Sequence, residues 1–412
     1  MLEMAEKGKL LIEWASKEMP VIKIIRENFI QNKPFAGLKI AACLHITAET
    51  ANLVLLLRDA GAKVFLTASN PLSTKDEIVD YLKNYENIWI ESKRGESTNE
   101  YYQNISKVIS HQPDLIIDDG GDLISTICTE NKTLASKIIG ACEETTTGVL
   151  RINNLHKDGK LYFPVIAVNN AKTKHMFDNR YGTGQSTIDG LLRATNILLP
   201  GKNCVVAGYG WCGKGVAQKL KAMGAKVIVT EIDPIKALEA VMDGFDVKPM
   251  IEASQIGDIF ITVTGNINVI NEEHFKLMKD GAILANSGHF NVEINIEYLE
   301  KNKISKRKVR ENLDEYIMPD GKHLYVIAEG RLTNLVAAEG HPASVMDMSF
   351  ANQALCLEFF TKNKSKLKPS IYDVPLEIDK KVAFYKLLSM KIRIDELTEK
   401  QKKYLESWNL GT

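Results

Sequence analysis

Residues 208–213, Gly208-Tyr209-Gly210-Trp211-Cys212-Gly213, form the most informative short stretch of the chain. They directly follow an apolar run, Cys204–Ala207, and precede a helical pattern that ends near Gly224. In a GxGxxG stretch between a strand and a helix, the glycines provide a tight turn, a close backbone approach to a ligand and close helix packing. The helix N-terminus can then bind a pyrophosphate. The stretch predicts a dinucleotide-binding unit, with a purely structural glycine turn as the alternative.

An acidic residue, Glu231, follows the next predicted strand, about 20 residues after the glycines. A carboxylate at this place accepts hydrogen bonds from both ribose hydroxyls and repels a 2′-phosphate, so the sequence favours NAD over NADP. The overlapping Gly208…Gly213-Lys214 also matches part of a nucleoside-triphosphate loop. However, Gly215 stands where such a loop needs a Ser or Thr to bind magnesium, and this excludes that alternative.

The chain shows two series of short apolar runs that alternate with helical patterns. Continuous apolar strands separated by amphipathic helices indicate parallel sheets covered on both faces. We therefore predict an α/β fold with two doubly wound parallel-sheet domains and a small C-terminal helical tail. The predicted strands are Leu38–Ile46, Lys63–Ala68, Asn87–Ile90, Asp114–Asp118 and Pro164–Val168 in the first series, and Cys204–Ala207, Lys226–Thr230, Asp258–Val263, Ala282–Ala285 and Leu324–Ala328 in the second.

A predicted helix, Gln185–Leu199, links the two series, and Pro200-Gly201 ends it. We place a domain hinge there. Another helix, Ala48–Ala60, begins behind Thr47, which is a good N-cap. Towards the C-terminus the patterns predict a helix over Ser344–Phe360, a loop over Asn363–Tyr372 and a polar helix over Glu396–Trp408.

The composition excludes several classes of partner. The 412 residues include 52 Lys plus Arg and 52 Asp plus Glu, so no long-range field favours nucleic acid or an anionic membrane. The six cysteines lack CxxC or Cys/His spacing, which predicts reduced thiols and no zinc or other metal site. Residues 1–14 lack the features of a signal peptide, and no run of about 18 apolar residues occurs. We expect a cytoplasmic protein that binds small molecules.

Polar residues cluster near the ends of predicted strands in the first series. Paired carboxylates followed by glycines suit a cleft in which one acid has a raised pKa, although turn chemistry explains them equally well. An acidic helix cap and a surface helix pair account for the other polar stretches, so the residues alone leave both interpretations open. The stretches are His45, Thr47 and Glu49, Asp118-Asp119-Gly120-Gly121-Asp122, Glu143–Gly148, and Lys174 with Asp178-Asn179.

Six motifs occur in an order that is typical of one enzyme family. They are Asp118–Leu123 (DDGGDL), Glu143–Gly148 (EETTTG), Phe177–Asn179 (FDN), Val205–Gly210 (VVAGYG), Gly288–Glu293 (GHFNVE) and Gly340–Pro342 (GHP). With these motifs the chain resembles the S-adenosyl-L-homocysteine hydrolases over nearly its whole length. The resemblance implies reversible hydrolysis of S-adenosyl-L-homocysteine to adenosine and L-homocysteine, with a tightly held NAD. The 3′-hydroxyl is oxidised, homocysteine is eliminated, water adds and the ketone is reduced, because a 3′-ketone acidifies the C4′ hydrogen.

The resemblance implies roles for residues that act on the ribose. Lys174 is the expected base for the 3′-hydroxyl, with a pKa that burial near the nicotinamide lowers. Glu144 and Asp178 would hold the ribose hydroxyls, and Asn179 would lie beside the nicotinamide. These four residues therefore form the expected oxidation site.

The resemblance implies further residues around the rest of the substrate. Asp119 and His45 would handle the C4′ proton and the attacking water or departing sulfur, in a division of steps that it leaves open. Thr47 and Glu49 would meet the adenine edge, whereas His289 and His341 would lie near the homocysteine side and its access channel. The residues expected to contact NAD are Thr145, Thr146, Thr147, Asn169, Asn179, Gly208, Gly210, Gly213, Glu231, Asn266 and Asn334.

The implied organisation has three parts and a homotetrameric assembly. Residues 1–184 together with 341–385 would form the substrate-binding and catalytic domain. Residues 185–340 would form the NAD-binding Rossmann domain, and residues 386–412 the oligomerisation tail. The same resemblance places the reaction in the methyl cycle of one-carbon metabolism.

Two features depart from the family pattern. Thr183 replaces a cysteine that many members carry near the nicotinamide, so we expect no thiol to tune the cofactor there. The chain also stops at Gly411-Thr412, soon after Leu397–Gln401, whereas many members have a longer tail that reaches the NAD of a neighbouring subunit. The short tail resembles archaeal or thermophilic-bacterial members, and we expect NAD to dissociate more readily.

Two alternatives to the main interpretation remain. The first is hydrolysis of S-inosyl-L-homocysteine by the same mechanism. An ionised Glu49 only accepts hydrogen bonds and should favour the adenine amine over the hypoxanthine carbonyl. The second is a catalytically silent NAD-binding regulator. Its signature would be the loss of Lys174, Asp119 or His45, and all three are present.

Overall fold

The computed structural model of the protein describes residues 2–364 and 366–409. The strands are β1 Lys39–Cys43, β2 Lys63–Thr67, β3 Ile88–Glu91, β4 Leu115–Asp118, β5 Gly140–Glu143, β6 Val165–Ala167, β7 Asn203–Ala207, β8 Lys226–Thr230, β9 Asp246–Val247, β10 Ile259–Thr262, β11 Ala282–Asn286, β12 Ser305–Arg310, β13 Leu313–Ile317, β14 His323–Ile327 and β15 Ile371–Asp373. The helices are α1 Leu2–Lys17, α2 Pro20–Asn32, α3 Ala48–Asp59, α4 Asp76–Leu82, α5 Thr98–Ser110, α6 Asp122–Glu130, α7 Lys132–Ala135, α8 Thr146–Lys157, α9 Lys172–Lys174, α10 Thr183–Thr195, α11 Trp211–Ala222, α12 Pro234–Met242, α13 Met250–Ile256, α14 Glu272–Leu277, α15 Ile296–Asn302, α16 Thr333–Val336, α17 Ala343–Lys362, α18 Leu376–Ser389 and α19 Glu399–Leu405. A wide π-helical segment, His175–Gly182, and two 3₁₀ turns, Val168–Asn170 and Ala328–Gly330, complete the described elements.

The first sheet has seven parallel strands in the order β15-β6-β5-β4-β1-β2-β3. The predicted doubly wound parallel sheet is confirmed, with two strands beyond the five predicted. Strand β5 reads Gly-Ala-Cys-Glu and lacks the β-branched residues that signal a strand. Strand β15 lies in the stretch predicted as a loop, and that prediction is wrong at its end because a three-residue edge strand carries almost no pattern.

The second sheet has eight strands in the order β12-β13-β14-β11-β10-β7-β8-β9. Its strands from β14 to β9 are parallel, as predicted. The prediction of a wholly parallel sheet is wrong at one edge, where β12 and β13 pair in antiparallel fashion and β13 also runs antiparallel to β14. Every residue of β12 is exposed, so this strand has no apolar face from which the sequence could reveal it.

Alternate residues of the central strands enter two apolar layers, one on each face of a sheet. Ile117 of β4 packs on one face of the first sheet, whereas Ile116 packs on the other. In the second sheet, Ile261 and Phe260 of β10 divide in the same way. All four side chains are fully buried, which is the arrangement expected of parallel strands with helices on both faces.

The C-terminal part of the chain returns to the first sheet. The predicted helix over residues 344–360 is confirmed as α17, which packs against α2, α3 and β5. The next helix, α18, packs on α17 and continues to Ser389, past the predicted domain boundary at residue 385. The two sheets are therefore joined by two passages of the chain.

Helix ends differ from several predictions. The linking helix, α10, ends at Thr195 rather than Leu199, because Asn196 adopts a left-handed backbone conformation (φ 52°) that caps it. The C-terminal helix α19 spans 399–405 rather than 396–408, and begins at a capping box between Thr398 and Gln401. Gly411-Thr412, where the predicted short tail ends, lies outside the described residues. Within the described ranges, no helix has both the length and the apolar character needed to span a bilayer.

Candidate active site

A cavity of about 1420 Å³ lies between the carboxyl ends of the two sheets. Loops that follow β1, β4 and β5 line it from the first sheet, and loops that follow β7, β10 and β11 line it from the second. In each sheet the neighbouring strands β4/β1 and β10/β7 mark the point where the strand order reverses. Ligands of doubly wound folds bind at such points, and this volume exceeds that of an ordinary one-ligand pocket.

All but one of the site residues predicted from the sequence line this cavity. The exception is Gly213, at which a Cβ would lie 1.9 Å from the carbonyl oxygen of Gly208. Its role is therefore helix packing against the turn rather than ligand contact. The lining residues are His45, Thr47, Glu49, Asp119, Glu144, Thr145, Thr146, Thr147, Asn169, Lys174, Asp178, Asn179, Gly208, Gly210, Glu231, Asn266, His289, Asn334 and His341.

Lys174 lies at the start of the π-helical segment, and its side chain is buried. Its Nζ lies 2.8 Å from Oδ1 of Asn179, 3.4 Å from Oδ2 of Asp178 and 3.6 Å from Oε1 of Glu144. A π turn brings residue i+5 near residue i, which explains why Asn179 and Asp178 both reach the lysine. The alternative of a surface helix pair is thus wrong for these residues.

The protein's own groups raise the pKa of Lys174, whereas the predicted lowering depends on the nicotinamide. Burial by itself lowers the pKa of Lys174, but the carboxylates of Asp178 and Glu144 outweigh it and raise that pKa above its ordinary value. Burial also raises the pKa of Glu144 to about 8, so near neutral pH the Asp178 carboxylate contributes most to this effect. The protein's own groups therefore hold Lys174 as an ammonium, and a further positive charge in the cavity is needed before it can accept a proton.

Helix α17 anchors the two carboxylates. Gln353 donates a hydrogen bond to Oε2 of Glu144, and Ser349 donates one of 2.8 Å to Oδ2 of Asp178. Burial would raise the pKa of Asp178, but Lys174 and His341 outweigh it and hold that pKa well below its usual range. Sequence reasoning missed Ser349 and Gln353. Their signal is the i, i+4 spacing of two polar residues in a helix that is otherwise mostly apolar.

A second cluster joins Asp119 to two histidines from different sheets. His45 Nε2 lies 3.6 Å from Oδ2 of Asp119, and His289 Nδ1 lies 3.7 Å from Oδ1. Burial lowers the pKa of His45 to about 3 and of His289 to about 4, and it raises the pKa of Asp119. The imidazoles are neutral at neutral pH and can accept protons, while Asp119 can hold one.

Sequence reasoning also missed the groups that orient His45. Its Nδ1 hydrogen-bonds Ser73 at 2.7 Å and Ser69 at 3.2 Å, which leaves Nε2 facing Asp119. The ligand atoms of His45, Asp119 and His289 lie within 4.8 Å of one another, a spacing that would also suit a metal ion, although the sequence predicts none. No motif near residues 69–73 carries a signal for this role.

The dinucleotide turn has the features expected from its sequence. Gly208 has φ +99°, a conformation that glycine adopts without strain. Glu231 follows β8, and its carboxylate accepts hydrogen bonds from the backbone N–H groups of Tyr209 at 2.7 Å and Ile232 at 2.7 Å. The carboxylate is thereby fixed at the rim of the cavity beside the glycine turn.

Two observations indicate that the residues present fit NAD. The buried Oδ1 of Asn334 lines the cavity and has no hydrogen-bond partner among the described residues, so it can accept one from a ligand amide. A Cβ on Gly210 would meet nothing within 4 Å, and its φ of −72° suits any residue. The fold itself does not require a glycine at position 210, whereas a ligand that approaches the backbone closely does.

Two residues predicted to contact NAD also form hydrogen bonds within their own loops. Thr145 accepts a hydrogen bond of 3.1 Å from Gly148 N, so the helix-cap interpretation holds for it. Asn266 is exposed at the rim, and its Oδ1 accepts a hydrogen bond of 2.9 Å from Ile267 N. Both still line the cavity.

We expect Gly210→Ala to lower the affinity for NAD by about tenfold or more, which corresponds to about 1.4 kcal/mol. The added methyl group would occupy the space of the ligand, and thermal unfolding of the protein without ligand should be unchanged. Gly215→Ala gives the matched contrast, because its Cβ would lie 1.8 Å from the carbonyl oxygen of Arg180 and should lower Tm. Calorimetric titration and thermal melts measure both effects. Wild-type NAD affinity in Gly210→Ala would contradict the assignment.

Family models identify both halves of the chain. Residues 1–134 match the model of "S-adenosyl-L-homocysteine hydrolase", and residues 179–340 match that of "S-adenosyl-L-homocysteine hydrolase, NAD binding domain". The chain belongs to the S-adenosyl-L-homocysteine hydrolase family. The family resemblance predicted from six motifs is thereby confirmed, as is NAD as the cofactor.

Individual proteins similar to the chain cover nearly its whole length. Adenosylhomocysteinase of Aquifex aeolicus is 60% identical over 411 residues, which are 100% of this chain and 98% of that protein. S-inosyl-L-homocysteine hydrolase of Methanopyrus kandleri is 55% identical over 410 residues, which are 99% of this chain and 96% of that protein. Among solved structures, a dipicolinate synthase chain from Bacillus halodurans aligns with a TM-score of 0.51 at 16% identity over 80% of this chain and 99% of that one. The last similarity supports the fold only.

The expectation that no thiol at position 183 tunes the cofactor in this S-adenosyl-L-homocysteine hydrolase family member stays a prediction. Cys212 of the dinucleotide turn places its Sγ 3.5 Å from the Thr183 hydroxyl. Both residues line the cavity. A thiol therefore lies beside Thr183 in the cavity.

Proposed function

We propose that the protein catalyses the reversible hydrolysis of S-adenosyl-L-homocysteine to adenosine and L-homocysteine through NAD-dependent oxidation and re-reduction at C3′. One observation carries the proposal: the Lys174 cluster, the Asp119 cluster and the dinucleotide turn line one cavity. Oxidation, elimination and cofactor binding are therefore available within reach of one substrate. The high identity to adenosylhomocysteinase of Aquifex aeolicus supports the same reaction.

The Lys174 cluster would act on the ribose. Asp178 and Glu144 accept hydrogen bonds from the ribose hydroxyls, and Lys174 takes the proton of the 3′-hydroxyl. NAD, when bound, supplies the oxidation and later reduction of C3′ and adds a cationic ring to the cavity, and a positive charge lowers the pKa of a lysine there. Asn179, tied to Lys174 and to Asn169 at 3.2 Å, would keep the lysine oriented.

The Asp119 cluster would act on C4′ and C5′. Once C3′ is a ketone, a base removes the acidified C4′ proton and the thiolate leaves from C5′. Neutral His45 and Asp119 can exchange that proton and then activate the water that adds to C5′. His289, which comes from the second sheet, completes this cluster only when the two sheets lie together, as they do here.

The domain organisation and the assembly are part of the same proposal. We assign the first sheet with α17 and α18 to substrate binding, residues 185–340 to NAD, and the segment after α18 to contacts between subunits of a homotetramer. Exposed apolar side chains support the last assignment, since Ile394 is 68%, Leu405 69% and Trp408 96% exposed. We also propose a cytoplasmic enzyme of the methyl cycle with no nucleic-acid or membrane partner, and the balanced charge supports the last point.

The test of function is thiol release by the NAD-loaded protein from S-adenosyl- and S-inosyl-L-homocysteine, measured side by side. Release from the adenosyl compound is the expected result. The absence of thiol from both compounds would instead favour the silent regulator. That alternative conflicts with Lys174, Asp119 and His45, which are all present and lie in the cavity.

The inosyl compound remains the second candidate because of Glu49. Burial raises the pKa of Glu49. The protonated form of a carboxyl group can donate to a hypoxanthine carbonyl. The 55% identity to S-inosyl-L-homocysteine hydrolase of Methanopyrus kandleri points the same way. The ionised form, which accepts from the adenine amine, gains population as pH rises.

We expect Glu49→Gln to lower the ratio of adenosyl to inosyl kcat/KM by roughly tenfold, because an amide both donates and accepts and a charge-assisted hydrogen bond is lost. The ratio in the wild-type protein should rise with pH, whereas the ratio in Glu49→Gln should stay constant. Glu86→Gln, at an exposed position, is the matched control. An unchanged ratio in Glu49→Gln would remove Glu49 from base recognition.

A further inference from the structure

His341 lies at the centre of a network of hydrogen bonds between the two sheets. Its Nδ1 meets the Asp178 carboxylate, and its Nε2 lies 3.1 Å from the amide nitrogen of Asn334 and 3.2 Å from the Thr183 hydroxyl. An amide nitrogen only donates, so Nε2 must be the acceptor and the ring proton must lie on Nδ1. The Thr183 hydroxyl, which faces the same Nε2, therefore donates as well.

Cys212 fixes the direction of the Thr183 hydroxyl from the other side. Its Sγ lies 3.5 Å from Thr183 Oγ1. Burial raises the pKa of Cys212, so the thiol keeps its proton and can donate it to the threonine oxygen. The threonine proton then has one acceptor, Nε2 of His341. The hydrogen bonds run in one direction, from Cys212 through Thr183 and His341 to Asp178.

We propose that Thr183 is a positioning residue: by donating to Nε2 together with the Asn334 amide, it strengthens the tautomer of His341 whose Nδ1–H orients the Asp178 carboxylate. This inference rests on the proposed function, in which Asp178 binds the ribose. The other tautomer would turn a lone pair towards Asp178 and remove one of its donors. Asp178 would then depend on Ser349, at 2.8 Å, and on Lys174, at 3.4 Å.

The identity of the side chain at position 183 matters for this role, because its strength as a hydrogen-bond donor determines how firmly the His341 tautomer is held. A hydroxyl donates well, a thiol donates weakly and an isopropyl group does not donate at all. Thr183 is buried at 3% exposure, and its hydroxyl bonds protein groups rather than bulk water. The threonine in place of the family's cysteine thus gives His341 the stronger partner.

The test compares Thr183→Val, which keeps the shape, with Thr183→Ser, which keeps the hydroxyl. We expect kcat for S-adenosyl-L-homocysteine to fall roughly three- to tenfold in Thr183→Val, with KM nearly unchanged, since one neutral hydrogen bond is lost. Thr183→Ser should restore most of the rate. Thr195→Val is the matched control, because the Thr195 hydroxyl donates to Leu191 O within the same helix. Wild-type kcat in Thr183→Val, or an equal loss in Thr183→Ser, would overturn the proposal.

Nitrogen NMR of histidine-labelled protein gives a readout that does not depend on turnover. The His341 signals are assigned by their loss in His341→Gln. In Thr183→Val the Nε2 resonance should shift, because one of its two donors is gone, whereas Thr195→Val should leave it in place. An unmoved Nε2 resonance would overturn the inference. If the wild-type protein releases no thiol, the proposed function is wrong, and this NMR comparison still decides whether Thr183 holds His341.

Discussion

Lys174→Met should abolish oxidation of the 3′-hydroxyl while NAD stays bound. Methionine fills the buried space of the lysine but cannot accept a proton, and loss of a general base lowers rates by about 10²- to 10⁴-fold. The side chains that line the dinucleotide turn are unchanged by the substitution. Addition of adenosine should therefore no longer produce the absorbance of reduced nicotinamide, and thiol release should fall in parallel.

Lys172→Met is the matched control for this prediction. Lys172 lies two residues away on the same short helix, but its side chain is exposed. The Lys172→Met variant should turn over substrate at the wild-type rate. Cofactor content is measured after denaturation of each purified variant. Retained oxidation in Lys174→Met would contradict the proposed role of the lysine. A lower NAD content in this variant would show that the lysine acts in cofactor binding.

Asp119→Asn should halt the reaction after the oxidation step. The amide has almost the shape of the carboxylate between His45 and His289, but it cannot exchange a proton. Thiol release should fall by about 10²- to 10⁴-fold, while reduced cofactor should accumulate with bound ketone. Stopped-flow absorbance and a thiol assay on the same sample separate the two steps.

The control for Asp119→Asn is Asp158→Asn, at an exposed position beyond α8. It should leave both signals unchanged. Because burial holds the pKa of His45 at about 3, the neutral imidazole is present at every pH above that value, and loss of thiol release on mild acidification should not come from His45. If Asp119→Asn also lost the oxidation step, Asp119 would belong to ribose binding.

The sequence predicts the central parallel strands and the site residues because both carry strong local patterns. Buried strands such as β1 and β10 show long apolar runs, and the motifs around Gly208 and Asp119 are short and contiguous. The sequence misses β5 and β12 because one consists of small residues and the other is wholly exposed. Which strands pair depends on their neighbours in the sheet, and a local sequence pattern carries no information about those neighbours.

The pKa values of the site residues are harder to predict from sequence than the identity of those residues. The raised pKa of Lys174 depends on Asp178 and on Glu144, which lies 30 positions earlier in the chain. The thiol beside Thr183 likewise comes from Cys212, 29 positions later in the chain. Such distances decide whether burial or a neighbouring charge sets the pKa, and they exist only after the sheets are packed.

The return of α17 and β15 to the first sheet sets an order for assembly on the ribosome. All eight strands of the second sheet, β7 to β14, have been synthesised by residue 327. The first sheet begins earlier but still lacks its edge strand at 371–373 and the cover of α17, whose Phe360 packs against Gly140. At that stage the nascent chain therefore contains all the strands of the second sheet, whereas the first sheet is still incomplete. Until α17 emerges, the apolar face of the first sheet is open to chaperones and to misassembly.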